Sequence, residues 1–391
     1  MEKIRIRSIA VPGLFKHQSI RVGKVFFCKS ICLKNYAQII KSQVVVCENS
    51  QKTSHIIVVC RIMGIPVVEI DSVDNLQYKD KGKFININYA QKNLCVTDII
   101  QDSGLERLEF HQPIQHELKY QLSIINSPSL IKKINQKKSN NVEQLFLRSE
   151  LLWLSLQGNP YDYLNEHGEK KTALVISNEL RKLCKFLKQD QIFNFRGLDL
   201  RSDEDFFSEE NFIEPNPQLG LHGTRQLLSR SEYLKAELTA IDMLYNEGIT
   251  NLVYSLPFVT NKKEVDDALI FCKKYCINQI KIGIFIETPA AIIELPMMLE
   301  EITPYVYLGT KDLAQFILAV DRGNNAVSHL MDITGYPVIC SIKNAVDACE
   351  KKEVYLYIFS MPADLSKLLS DIPNIKRLSL AAADYLLIAE G

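Results

Sequence analysis

Lys281-Ile282-Gly283-Ile284-Phe285-Ile286-Glu287, running into Thr288-Pro289-Ala290-Ala291, decides the fold. An apolar run this short, closed by a carboxylate, reads as a buried strand that hands over to an amphipathic stretch. Seven further runs follow the same plan: Leu145 to Ser149, Ile192 to Leu198, Pro217 to Gly223, Asn251 to Pro257, Tyr305 to Gly309, Val354 to Phe359 and Lys376 to Leu380. Between them, stretches such as Ser231 to Asn246 and Lys262 to Tyr275 carry apolar residues three and four apart. Strands alternating with helices argue for a parallel sheet with crossovers. Eight such units in about 250 residues match a TIM (β/α)8 barrel, expected over residues 142–391.

Upstream the rhythm differs. Short β-rich runs (Arg5 to Ala10, Val22 to Phe27, Gln43 to Cys47, Ile65 to Ile70, Lys83 to Ile87) surround one helical stretch, Ser54 to Met63. Residues 1–92 therefore read as a small α/β domain. Residues 93–141 are polar, Lys/Gln/Asn-rich and interrupted by Pro113 and Pro128, which predicts a linker helix or hinge.

Basic and acidic residues are equal at 46 each, so net charge draws the chain neither to nucleic acid nor to a membrane. Any anion site must be local. The charged, alternating start Met1 to Arg7 has no apolar run of signal or membrane-spanning length behind it, and a cytoplasmic location is expected. Most of the ten cysteines lie in apolar runs, as Cys47, Cys60, Cys95 and Cys340 do, which suits a reducing compartment. Cys28/Cys32 and Cys272/Cys276 are spaced by four without a second ligand pair, so structural zinc is not expected.

A TIM barrel works at the C-terminal ends of its strands. Here those ends read Arg148 and Glu150, Arg196 and Asp199, His222 and Arg225, Glu287, then Lys311 and Asp312, with Arg322 just beyond. Arginines grip phosphate and carboxylate through paired donors. Glu287 and Asp312 can offer oxygen to Mg²⁺ (or Mn²⁺), which keeps waters and borrows oxygens from its substrate. Any one of these charges could equally be a solvated loop position, yet several strand ends supply one electrostatic theme.

Thr53-Ser54-His55 precedes the apolar run Ile56 to Cys60 and the turn Gly64-Ile65-Pro66. A neutral imidazole held at the head of a buried segment, with hydroxyls beside it, suits a histidine that carries a phosphoryl group. Taken alone, the plainer reading leads: a surface or satisfied histidine in a polar turn.

Three motifs resemble the phosphoenolpyruvate-utilising barrel shared by enzyme I of the sugar phosphotransferase system, phosphoenolpyruvate synthase and pyruvate phosphate dikinase. They are Gly283 to Ala291, Leu308 to Arg322 and Asn216 to Arg225. Thr53 through Val68 resembles the swivelling phosphohistidine domain of the same family, and the domain order is that of enzyme I. The resemblance implies that His55 accepts the phosphoryl group and that Arg148, Arg196 and Arg322 hold phosphoenolpyruvate. It further implies Glu287 and Asp312 as magnesium ligands and a homodimer formed through the barrel.

The departures carry weight too. Where the family places a Cys-Gly-Glu motif whose cysteine protonates the enolate, this chain reads Phe359-Ser360-Met361. His222 stands for the family's third-strand arginine, and Lys311, placed to compete with the metal, stands for its metal-adjacent asparagine. The carrier-docking helical insertion of enzyme I has no room between Phe27 and Gln43. Two expectations follow. One is a divergent phosphoenolpyruvate-dependent phosphotransferase passing phosphate from His55 to an unidentified acceptor. The other is an inactive or regulatory relative whose barrel binds an anion or a protein partner.

Overall fold

A computed structural model describes residues 3–11, 17–50, 55–74, 76, 83–98, 117–137, 141–204, 213–300, 302, 304–324 and 326–388. The chain divides into two compact units, residues 1–111 with 386–391, and residues 112–385.

The first unit holds β1 (Ile4–Arg5), β2 (Ser8–Val11), β3 (His17–Arg21), β4 (Val25–Ser30), β5 (Val44–Asn49), β6 (Val67–Glu69), β7 (Phe84–Asn88) and β8 (Asn93–Thr97). They form two four-stranded sheets, ordered β1-β8-β7-β3 and β2-β6-β5-β4. The first is antiparallel; in the second, β4, β5 and β6 run parallel and β2 joins β6 antiparallel. Val44, Val45, Val46 and Cys47 are all fully buried, as a strand covered on both faces requires. The helix His55–Met63 buries Ile56, Ile57, Val59, Cys60 and Ile62, a stripe at three and four spacing.

The second unit is a closed barrel of β9 (Lys119–Ser123), β10 (Val142–Arg148), β11 (Ile192–Arg196), β12 (Leu252–Val259), β13 (Lys281–Ile286), β14 (Tyr305–Gly309), β15 (Tyr355–Phe359) and β16 (Arg377–Ala381). Every neighbouring pair is parallel, including the closing pair β16 and β9. The expected (β/α)8 barrel is therefore present, but two of its assignments change. Pro217 to Gly223 is not a strand: it forms a 3-10 turn over Pro217–Leu219, and a helix begins at Gly223. The missing stave is β9, inside the segment 93–141 expected as a linker, which also supplies β8 to the first unit.

The barrel interior is partly polar. Ser379 donates to Gln121 at 2.8 Å, Gln121 bonds Gln144, and Ser255 donates to Asn194 at 2.6 Å. Aromatic rings pack among and above them, with Phe285 stacked on Tyr307 at 4.8 Å and Tyr307 on Tyr357 at 5.5 Å. Among the described residues no helix is long and apolar enough to cross a membrane.

Candidate active site

Register builds the site. Arg148 and Arg196 end adjacent strands and are directly paired across β10 and β11. Two cations side by side need counter-charges, and the residues just past each strand end provide them. Arg196 Nη2 bonds Glu150 Oε1 at 2.5 Å and lies 3.4 Å from Asp199 Oδ2. Glu150 is fully buried and Arg196 nearly so, which makes the pair costly to leave incomplete. Burial and Arg196 push the Arg148 guanidinium down to about 10, against the pull of Glu150, Glu287 and Asp199, and it stays charged at neutral pH.

Asp199 also accepts from His222, with Nδ1 to Oδ1 at 2.9 Å, while His222 Nε2 faces the Gln218 carbonyl at 3.1 Å. Burial disfavours the Asp199 carboxylate, but Arg196 and His222 outweigh it and hold it well below the usual range. His222 sits at the head of the helix Gly223–Ser229 rather than at a strand end, packed 4.2 Å from the Phe258 ring.

Across the barrel mouth, burial and the charge of Asp312 push Glu287 up to about 8, although Arg196 and Arg148 favour its ionised form. Gly309 ends β14 beneath it: a Cβ there would lie 2.1 Å from Glu287 Oε1, so glycine is required for the carboxylate to cross the strand end. Asp312 is held by Arg322 Nη2 at 2.8 Å, and the Arg322 amide donates to Gln315 Oε1 at 3.2 Å. Two hard carboxylates crowded together fit a divalent cation that completes its shell with water and ligand oxygens. Among the described residues no group of three or more His, Cys, Asp or Glu is gathered to hold a metal unaided, so a ligand would have to share the ion.

Phe359 lies at the end of β15, 5.3 Å from Phe146 and 5.4 Å from Phe285. The same two rings carry the arginines, Arg148 over Phe146 at 5.2 Å and Arg196 over Phe285 at 5.4 Å. An aromatic floor thus lies at the end of β15, under two cations that it favours by about 0.5–2 kcal/mol each. Cys349, buried in the helix Tyr336–Lys351, lies toward the other end of this strand, its carbonyl accepting from the Val354 amide at 2.9 Å just ahead of β15.

The barrel therefore brings together Arg148, Arg196, His222, Glu287, Asp312 and Arg322. Lys311 is exposed at the start of the helix Thr310–Leu318. Arg225 turns away to Thr260 at 3.1 Å and Glu264 at 3.4 Å. His55 belongs to the first unit, half-buried at the first turn of its helix; Thr53 and Ser54 lie outside the described residues. Sequence reading missed Arg201, whose charge acts on both Asp199 and His222 and which pairs with Glu204 at 2.8 Å. Its only signal was its place two residues after Asp199.

Residues 110–363 match the family profile described as PEP-utilising enzyme, PEP-binding domain. A probable phosphoenolpyruvate synthase of Archaeoglobus fulgidus is 28% identical over 328 residues, covering 80% of this chain and 42% of the relative. The phosphoenolpyruvate synthase of Pyrococcus furiosus is 24% identical over 329 residues, covering 80% and 39%. A phosphoenolpyruvate-protein phosphotransferase of Buchnera aphidicola from Schizaphis graminum is 26% identical over 322 residues, covering 75% and 53%. The chain spans only 39% to 53% of the length of these relatives.

Proposed function

The chain belongs to the PEP-utilising enzyme family through its PEP-binding domain, and from that premise we propose that it is a divergent phosphoenolpyruvate-dependent phosphotransferase. One observation carries the reading. Arg148 Nη1, Arg196 Nε and Arg322 Nε are each buried without a hydrogen-bond partner. A buried guanidinium N–H left unused costs on the order of 1–3 kcal/mol or more. Three of them, on three arginines of one barrel mouth, suit an anion with both a phosphate and a carboxylate to offer.

In this reading Arg148, Arg196 and Arg322 orient phosphoenolpyruvate. Glu287 and Asp312 would hold Mg²⁺ (or Mn²⁺), which neutralises phosphate charge when bound. A ring nitrogen of His55 attacks phosphorus; the P–O bond to the enol oxygen breaks as the N–P bond forms, and pyruvate enolate leaves to take up a proton. Phosphoryl transfer asks mainly for positioning and charge neutralisation, which these residues supply. The first turn of the nine-residue helix His55–Met63 adds a partial positive charge beside a phosphorylated imidazole. The group then passes to an acceptor still to be identified. A homodimer through the barrel belongs to the same proposal, supported by Ile293 and Met297, 78% and 51% exposed four residues apart on the helix Pro289–Met298.

A second reading, a regulatory relative that binds the anion without turning it over, is favoured by the aromatic floor at Phe359. Incubation with phosphate-labelled phosphoenolpyruvate and Mg²⁺ separates the two. Acid-labile label that disappears in His55→Ala supports transfer; saturable binding without label supports the regulatory reading; and if neither label nor binding is seen, both readings fall.

A further inference from the structure

Glu237 and Tyr233 sit one turn apart on the helix Ser231–Asn246, and both are fully buried on the outer side of the strand ends that carry Arg148 and Arg196. A carboxyl group in such a place is expensive unless its hydrogen bonds are in use. Glu237 Oε2 accepts from the Tyr254 hydroxyl at 2.7 Å and from the Leu198 amide at 3.4 Å. Tyr233 Oη lies 3.3 Å from Ser149 Oγ and also accepts from Trp153 Nε1. Ser149 stands between Arg148 and Glu150; Leu198 stands next to Asp199 and two residues after Arg196.

Gly197 completes the contact. A Cβ there would come within 2.2 Å of Tyr254 Oη, so the hydroxyl packs directly against the backbone that joins Arg196 to Asp199. One helix and one tyrosine of β12 therefore hold both strand ends from outside, while four charged side chains from those ends meet inside.

We propose that Glu237 and Tyr254 are positioning residues of the anion site, fixing the Gly197–Leu198 backbone so that Arg196 can bridge Glu150 and Asp199 and still present Nε to the ligand. The proposal rests on the site's being the phosphoenolpyruvate site. An arginine that already meets two carboxylates at 2.5 and 3.4 Å has little freedom to absorb a backbone shift. A charge-assisted hydrogen bond to the ligand lost through such a shift is worth about tenfold or more in affinity. Burial pushes the Glu237 carboxyl up to about 7, so a glutamine closely copies its protonated form.

Phosphoenolpyruvate with Mg²⁺ is the probe, titrated by calorimetry into wild type, Tyr254→Phe, Glu237→Leu and Glu237→Gln, with melting temperatures and hydrogen exchange of the Leu198 amide measured alongside. Tyr254→Phe and Glu237→Leu are expected to weaken binding by about tenfold or more and to speed exchange at Leu198. Glu237→Gln is expected to keep affinity within about threefold, since its amide oxygen still accepts from both donors. Wild-type affinity and unchanged Leu198 exchange in Tyr254→Phe would overturn the proposal. So would equal losses in the Gln and Leu variants that simply follow their melting temperatures. If wild type does not bind phosphoenolpyruvate, the functional reading falls by itself, and the exchange data, which need no ligand, still decide the positioning role.

Discussion

His222 places both ring nitrogens against acceptors, Nδ1 on Asp199 Oδ1 at 2.9 Å and Nε2 on the Gln218 carbonyl at 3.1 Å. Only the doubly protonated ring can donate to both. Burial and Arg201 oppose the charge, but Asp199 and the Gln218 carbonyl prevail and raise the imidazole above its ordinary 6.5. The barrel mouth thus holds a cation that rising pH can remove.

Phosphoenolpyruvate affinity should therefore be full below the raised pKa of His222 and fall as pH climbs through it. The ligand's own phosphate titrates near pH 6 and Glu287 in the same mouth at about 8, so the comparison that matters is with His222→Arg, whose charge is permanent while both other titrations remain. Calorimetric titrations from pH 6 to 9 should show a wild-type decline that flattens in His222→Arg; parallel curves would refute the assignment. Stability should move in the same sense. A raised histidine contributes stability fully below its unfolded pKa and loses it as pH rises through the folded value.

Restoring a thiol at the mouth of β15 tests what Phe359 withholds. Phe359→Cys removes a ring packed on Phe146 and Phe285, and should cost about 2–4 kcal/mol in chemical denaturation. General acid help is worth about 10²–10⁴ in rate, so pyruvate release coupled to His55 labelling should rise by about a hundredfold. No gain in a folded variant would mean that protonation does not limit this chain.

Removing the charge of Arg196 should damage fold and site together. Arg196→Met takes from fully buried Glu150 its 2.5 Å partner, a loss of about 3–5 kcal/mol. Anion binding should fall below detection in the same protein. Unaltered urea denaturation would show that Glu150 is protonated or paired elsewhere.

Gly309→Ala addresses the metal. Its Cβ would collide with Glu287 Oε1 and push the carboxylate off the end of β14. Phosphoenolpyruvate binding should lose its Mg²⁺ dependence while metal-independent binding to the arginines persists. Equal stimulation by Mg²⁺ in both proteins would remove Glu287 from the ligand set.

Much of this was readable in the chain because its chemistry sits where the fold exposes it. Lys281–Ile286 and Tyr305–Gly309 are uninterrupted apolar strands, and Arg148, Arg196, Glu287 and Asp312 stand out as charges at or just beyond strand ends. β9 hid itself: Gln121 meets Ser379 and Gln144 in a polar barrel interior and Ser123 is buried on the same face, so Lys119–Ser123 lacks the apolar run that marks its neighbours. Pro217 to Gly223 misled in the opposite direction: expected as a strand, it is a 3-10 turn running into a helix, with Leu219 and Leu221 both exposed. Glu237 and Tyr254 were illegible because a buried carboxyl on a helix looks, in one sequence, like a solvent-facing residue.

The position of β9 bears on how the protein can be divided. Its 119–123 strand pairs with β10 on one side and β16 on the other, so it is the seam of the cylinder. An expression fragment begun at Val142, where the apolar strands start, would leave two raw edges with unpaired backbone and a strong tendency to aggregate. A cut made ahead of Lys119 keeps the seam, and with it the smallest piece in which the three arginines can still converge.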